Sequence, residues 1–386
     1  MNRPHATRSA LRILPALLLA VCPALAHAAA QPVPPPPTLQ AASWILVAQR
    51  TGEMLAGHRP NDPVEPASIT KLMTAYAVFQ ALKDGKLKLD TEVPISEHAW
   101  RSEGSRTYLD VGTRVPVEVL IQGMIVQSGN DATIALAEAV AGTEDTFAAL
   151  MNQYAGRLGL AQSHFQNSTG LPGDNHKMSA ADMAKLARAL IREFPGYYRW
   201  YSQREFTWND IRQPNRNGLL ARDPSVDGVK TGMTEAAGYC LVSSAKRDGM
   251  RLIAVVTGAK SMKAREDASL ALLNYGFSFY ETRALRKAGD TLAVHRVYKA
   301  RGGRAAIGLA QDLLVTLPRG QADRVTFQLA LAPKVFAPLS KADRVGVLRA
   351  FVDGKQVAEA PLHPVAEVPR GNIFRRIWDT ILSWFA

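Results

Sequence analysis

Ser68 and Lys71, in Ser68-Ile69-Thr70-Lys71, have the residue types and spacing for covalent chemistry. A serine hydroxyl becomes a nucleophile when a base takes its proton, and on a helix the residue three positions later lies on the same face. Lysine can be that base near neutrality only if its pKa, ordinarily near 10.4, falls by about three units, worth roughly 4 kcal/mol, through burial and a neighbouring cation. The pair alone is weakly specific, because Ser243-Ser244-Ala245-Lys246 repeats it on a stretch that suits a strand, where the two side chains would not meet in the same way. Ser68 differs in opening an expected helix, whose free N–H groups and positive dipole end favour an oxyanion. Ser128-Gly129-Asn130 follows 60 residues after Ser68, and Lys230-Thr231-Gly232 comes 102 residues after Ser128. The ordered set is specific where each piece is not.

The elements that must position these groups follow from patterning. Ser43 to Gln49 and Glu53 to His58 suit strands joined at Arg50-Thr51-Gly52. Ile69, Leu72, Met73, Ala75, Tyr76, Val78, Phe79 and Leu82 are apolar nearly all round the next helix, which Gly85 ends, so that helix must be buried. Val117 to Gln127 and Asn130 to Val140 predict two helices broken at Ser128-Gly129, which holds Ser128 between them. A helix is expected over Ala180 to Arg192, then aromatic and Asn-rich loops up to Asp227-Gly228. Val229 to Met233, Gly238 to Ala245 and Met250 to Gly258 read as strands, the last two joined through Asp248-Gly249, and Arg265 to Tyr280 as helix.

From about Leu285 short strand-like runs predict a small β domain: Thr291 to Tyr298, Leu313 to Leu317, Val325 to Leu331 and Val345 to Val352, with Asp353-Gly354 a hairpin turn. Over Ile373 to Phe385 the apolar residues, Trp378 and Trp384 among them, fall largely on one helical face, with Arg375, Arg376, Asp379, Thr380 and Ser383 opposite. That pattern predicts a helix lying in a membrane surface, with Gly371 after Pro369 as its hinge. At the other end, Arg3, Arg8 and Arg12 precede an apolar run from Ile13 to Ala26 and the small-x-small Ala26-His27-Ala28, the form of a cleavable secretory signal. Cleavage would remove Cys22 and leave Cys240 unable to form an intrachain disulfide, as a buried small hydrophobe. Five prolines between Gln31 and Thr38 read as a spacer. The expected divisions are a signal at 1–28, a Pro-rich linker at 29–40, a catalytic domain at 41–284, a β domain at 285–368 and an anchor at 369–386.

The 386 residues carry 46 Lys plus Arg against 34 Asp plus Glu, a formal +12 of which the signal takes three. At 47% apolar and 21% charged the chain is neither mostly disordered nor a coiled coil. Its charge alone leaves nucleic acid, anionic lipid and anionic polymer open. Nucleic-acid binding would rest only on that charge and on Arg301-Gly302-Gly303-Arg304, which is more simply a turn. His58, His98, His164, His176, His295 and His363 show no short metal-ligand spacing, so no metal or other cofactor is expected.

The trio of Ser-x-x-Lys, Ser-x-Asn and Lys-Thr-Gly, in this order, resembles the serine penicillin-binding proteins, most closely the low-molecular-mass D-alanyl-D-alanine carboxypeptidases. The resemblance covers nearly the whole mature chain. It implies an α/β (α+β) β-lactamase/transpeptidase-like domain, a five-stranded antiparallel sheet with helices on both faces, followed by the β domain and the tail helix. The implied reaction removes the terminal D-Ala of peptidoglycan pentapeptide stems through an acyl-enzyme on Ser68, and penicillin would acylate the same serine. Lys71 is the base, Ser128 relays a proton to the leaving amine, and Asn130 fixes Lys71 and the substrate amide. Lys230 and Thr231 face the substrate carboxylate, and Gly232 lets the strand come close. The resemblance adds Arg265 as a second carboxylate contact. The oxyanion hole would be the N–H groups of Ser68 and Met233, where related enzymes carry His. The loop Gly104 to Leu109 resembles a flexible loop near the family's site and is assigned no chemistry. Stem peptides, β-lactams and anionic lipid, met by residues 371–386 at the periplasmic face of the inner membrane, are the partners expected.

Other readings share these motifs. A β-lactamase needs a carboxylate for deacylation; Glu205 and Asn209 have the spacing for it but lie only 25 residues before Lys230, too close for that resemblance. DD-endopeptidase action on the same site remains an alternative. A non-catalytic stem-peptide binder is disfavoured by the full set of catalytic side chains.

Overall fold

The computed structural model describes residues 33–384. The signal at 1–28, Cys22 and Phe385 lie outside the described residues. Five antiparallel strands form the central sheet: β1 (Ser43–Ala48), β2 (Met54–His58), β3 (Val226–Thr234), β4 (Gly238–Arg247) and β5 (Met250–Ala259), in the order β2-β1-β5-β4-β3. Both faces are covered. Successive side chains of a strand point to opposite faces, so Ile45 and Val47 join a core built mainly on the helices that lie between β2 and β3 in sequence. Trp44, Leu46 and Ala48 pack in a second core with Leu272 and Leu273 of the helix Met262–Phe279.

At the centre of the first core lies α1 (Lys71–Lys83), preceded by a 3-10 turn over Ala67–Thr70. Eleven of its thirteen residues are buried, as its unbroken apolar surface requires. Past a short helix at Glu97–Trp100 comes Val117–Gln122, continued by a wider π-helical turn to Gln127 rather than by regular α-helix. Ser128 then takes a left-handed φ of 68° and α2 (Asn130–Ala141) begins.

Elsewhere the chain departs from the sequence expectations. A helix at Glu144–Leu158 was not anticipated, although Thr143 caps it by accepting from Thr146 N and two acids open it. The aromatic and Asn-rich stretch is not all loop: Glu205–Trp208 and Ile211–Pro214 form a hairpin about Asn209 and Asp210, both left-handed. Residues 33–40 are not a free spacer, since Val33 and Leu39 pack on the second core and Tyr275 donates to the Pro34 carbonyl at 2.9 Å.

The β domain holds a five-stranded sheet in which three expected strands are joined through Arg304–Gly308 and Lys355–Pro364, two neighbouring strands not singled out from sequence. Leu313–Pro318 pairs instead with Tyr280–Arg286. The tail forms α3 (Ile373–Leu382). Gly371 is no loose hinge, because its N–H donates to Lys299 O at 2.8 Å and Ala300 bridges Arg370. The helix docks by its polar side. Asp379 is 2% exposed, whereas Phe374, Trp378 and Trp384 are 79%, 60% and 74% exposed. No helix of the described residues is long and apolar enough to cross a membrane.

Candidate active site

The three motifs converge on one cleft of about 480 Å³. Ala67 takes a left-handed φ of 48° and turns the chain so that Ser68 stands half-buried at the mouth of α1, with its side chain lining the cleft. Lys71, one turn on, is buried. Its Nζ donates to Asn130 Oδ1 at 2.6 Å and to the Thr169 carbonyl at 2.7 Å, and lies 3.0 Å from Ser68 Oγ. Burial, and then the positive charge of Arg216, lower the Lys71 pKa from 10.5 to about 7, with Asp131 and Glu144 pulling it back up. This is the shift that a lysine base requires. Both carbonyl-type oxygens accept only, so a neutral Lys71 spends its two N–H bonds on them and turns its lone pair to the Ser68 hydroxyl.

A second pair lies across the cleft. Lys230 Nζ donates to Ser128 Oγ at 2.9 Å and to Thr231 O at 3.0 Å. Burial, and then the charges of Lys71, Arg216 and Arg265, push Lys230 well below its ordinary range. β3 carries Lys230 and Thr231 against the turn that bears Ser68. A Cβ on Gly232 would lie 3.0 Å from the Pro66 carbonyl and 3.2 Å from Ala67 Cβ, so glycine permits that approach. Met233, on the cleft edge, is mostly exposed.

Arg265 is buried rather than engaged in a surface salt bridge. It makes only long 3.4 Å contacts to the carbonyls of Gly232, Cys240 and Arg216, and its Nε has no partner. A guanidinium lining a cleft with spare donors is suited to an incoming carboxylate. Cys240 is buried nearby, and burial raises its thiol to about 11, the state of an inert small residue.

Several contributors carry no motif. The Thr169 carbonyl is set by Asn167, whose Oδ1 accepts from Thr169 N, Thr169 Oγ1 and Gly170 N, an Asx-type turn legible in Asn167-Ser168-Thr169-Gly170. Asp131 is fully buried and accepts from the amides of Thr107, Leu109 and Ala132. With Asn130 Nδ2 donating to Glu103 O, it fastens the loop around Gly104 to the second motif. Arg216 lines the cleft and had no signal in the sequence beyond its type. Glu205 and Asn209 do not join the site: Glu205 pairs with Arg212 on the outer hairpin, and neither lines the cleft.

A reachable serine, a lysine tuned toward neutrality and a cationic wall define a serine acyl-transfer enzyme of the penicillin-binding class. The family described as D-alanyl-D-alanine carboxypeptidase matches residues 28–261, and the penicillin-binding protein 5 C-terminal domain matches residues 280–370. The D-alanyl-D-alanine carboxypeptidase DacA of Escherichia coli K12 is 42% identical over 361 residues, spanning 92% of this chain and 90% of that protein. Penicillin-binding protein 5 of Haemophilus influenzae superposes with a TM-score of 0.82 at 40% identity, covering 87% of this chain and 99% of that one. Penicillin-binding protein D2 of Listeria monocytogenes, solved in an ampicillin-bound form, is 28% identical with a TM-score of 0.59, covering 63% of this chain and 100% of that one. The chain belongs to the D-alanyl-D-alanine carboxypeptidase family, and it is a serine peptidase of that kind.

Proposed function

We propose that Ser68 is the nucleophile with which this enzyme removes the terminal D-Ala of peptidoglycan pentapeptide stems, and that β-lactams acylate the same oxygen. Lys71 takes the Ser68 proton as Oγ attacks the carbonyl between the two D-alanines. The N–H groups of Ser68 and Met233 receive the oxyanion. The proton that Lys71 took passes through Ser128, which is hydrogen-bonded to Lys230, to the departing amine; the C–N bond breaks, D-Ala leaves, and Lys71 is neutral again. Water then attacks the ester, with Lys71 again as base, and restores Ser68. Lys230, Thr231 and Arg265 hold the free carboxylate of the substrate, and Arg216 adds positive charge beside them.

The observation that carries this reading is the set of three Lys71 contacts, two to acceptors that cannot donate and one to a reachable hydroxyl. The test uses fluorescent penicillin and a peptide ending in Lys-D-Ala-D-Ala on the wild type and Ser68→Ala. The wild type is expected to label and release D-Ala, and Ser68→Ala to do neither. Equal labelling of the two refutes the nucleophile. Labelling of the wild type without D-Ala release favours a stem-peptide binder.

The same proposal puts the exported protein at the periplasmic face of the inner membrane, with residues 371–386 in the lipid interface. The outward Ile373, Phe374, Ile377, Trp378, Ile381 and Trp384 support it, since a polar aqueous surface gives them nothing to pack on. Deleting residues 371–386 is expected to free the protein from membranes; a truncated form that still sediments with them overturns the anchor.

A further inference from the structure

We infer that the β domain itself carries a contact for anionic phospholipid headgroups, formed by Arg301, Arg304 and Arg370 at the root of α3. The inference rests on the membrane reading above and adds to it a second, electrostatic site outside the helix.

The helix is fixed, not tethered. Asp379 accepts from Lys299 N at 2.6 Å and from Arg375 Nε at 3.3 Å, and lies 3.7 Å from Arg296. Arg301 N donates to Pro369 O at 3.1 Å, and Lys334 Nζ donates to Ser383 O at 2.8 Å. These bonds orient the apolar face away from the domain, so a bilayer that receives that face also meets whatever flanks it. What flanks it is the turn Arg301-Gly302-Gly303-Arg304. A Cβ on Gly303 would fall 2.2 Å from Arg375 Nη2, so the Arg375 guanidinium lies directly on the turn.

Charge then selects the occupant. Residues 296–304 and 369–384 hold seven Lys or Arg and one acid, Asp379, which is already spent on Arg296, Arg375 and Lys299 N. Arg301, Arg304, Arg370 and Arg376 are exposed, and among the described residues none has a carboxylate partner. Unpaired arginines beside an exposed apolar stripe fit a surface that offers phosphate and hydrocarbon together, which an anionic bilayer does. A soluble polyanion would leave the apolar stripe unused.

The test follows partition of the chain beginning at Ala29 onto vesicles of phosphatidylcholine, alone or with phosphatidylglycerol, for the wild type and Arg301→Gln/Arg304→Gln. Penicillin labelling of the variant checks its fold. The expected result is about thirty-fold weaker partition of the variant onto the anionic vesicles and no change on the neutral ones. A nitroxide on Gly302→Cys, where a Cβ would meet nothing closer than the Arg304 carbonyl at 3.8 Å, is expected to be broadened by nickel-chelating headgroups. A variant that binds anionic vesicles as the wild type does, a wild type indifferent to lipid charge, or an unbroadened label on bound protein each overturns the arginine site and leaves the helix anchor standing. So does an arginine effect seen only with a soluble polyanion such as heparin. A wild type that binds neither vesicle overturns both readings.

Discussion

The base assignment makes Asn130→Asp an informative change, because it is isosteric and puts a negative charge where a neutral oxygen now accepts from Lys71 at 2.6 Å. At an effective dielectric constant of about 20, a unit charge at that distance attracts the ammonium by about 6 kcal/mol. The fall of Lys71 from 10.5 to about 7 corresponds to about 5 kcal/mol. The added attraction exceeds the whole depression, so Lys71 is expected to return to its ordinary range and to be a cation at neutral pH. The neutral fraction near pH 7 then drops from about one half to about one in three thousand, and acylation slows by about a thousandfold. The second effect of the change is repulsion between the new carboxylate and Glu103 O, to which Asn130 Nδ2 now donates at 2.6 Å. That effect does not follow the titration of Lys71, so the pH profile separates the two. The assay is the second-order rate of fluorescent-penicillin labelling across pH. The wild-type rate should rise through about pH 7, and the variant rate should climb about tenfold per unit up to about pH 10. A variant slowed by one factor at every pH, or one whose midpoint stays near that of the wild type, would refute a neutral Lys71 as the base.

Three further outcomes can be checked. Arg216→Gln removes a cation that depresses both lysines, so the midpoint of the labelling profile should move to higher pH; an unmoved or lower midpoint contradicts the electrostatic role. Gly170→Ala puts a Cβ 1.9 Å from Ala67 O at a φ of +87°, and is expected to cost at least about 2 kcal/mol and to slow labelling by displacing the Ser68 turn. A melting temperature and labelling rate equal to the wild type would mean that the contact relaxes freely. His176 accepts from Gln166 N at Nδ1, which leaves Nε2 to donate to Thr70, and burial lowers its pKa from 6.5 to about 4. The folded state therefore binds fewer protons than the unfolded one between these values. Stability from this source is full above about pH 6.5 and falls by about 3 kcal/mol as pH drops toward 4. His176→Gln should flatten the melting temperature over that window, and an unchanged slope would show that other groups set it.

What was legible in the sequence follows from how local each signal is. Ser68 and Lys71 are three apart, on the 3-10 turn and the first position of the helix it leads into, and that helix's all-round apolar surface foretold the burial that lowers Lys71. The turn at Ser128-Gly129 was readable from glycine. The Thr169 carbonyl was not, because a backbone oxygen has no residue type, and it comes to Lys71 from 98 positions away. Arg216 was hidden for a related reason: one arginine in a loop among many carries no periodicity. Helix Glu144–Leu158 was missed despite a Thr cap, an acidic first turn, Arg157 in the last turn and a left-handed Gly159 after it, signals that were present. For the tail, the two faces were readable and the docked side was not, since a helix with one apolar stripe normally turns that stripe inward. Asp379 reverses this by taking bonds from Lys299 and Arg375 in a site where water is excluded.

On the proposed roles of the site, the two lysines also tie a free carboxylate on the substrate to the chemistry as well as to binding. Lys71 and Lys230 are both buried, and the positive charge of Lys71 is the second cause, after burial, of the low Lys230 pKa. Coulomb coupling is mutual, so each ammonium disfavours the other and the pair holds its second proton weakly. A carboxylate arriving beside Lys230 supplies the counter-charge that lets Lys230 keep a proton. Lys71, tied to two acceptors and one hydroxyl, then loses its proton more readily, since the neighbouring charge is secured. A peptide without that carboxylate leaves the proton shared, and less of Lys71 is free to act as base. On that proposal, recognition of the chain end and activation of Ser68 are linked through one proton, and Gly232 sets how closely β3, with Lys230, approaches the Ser68 turn.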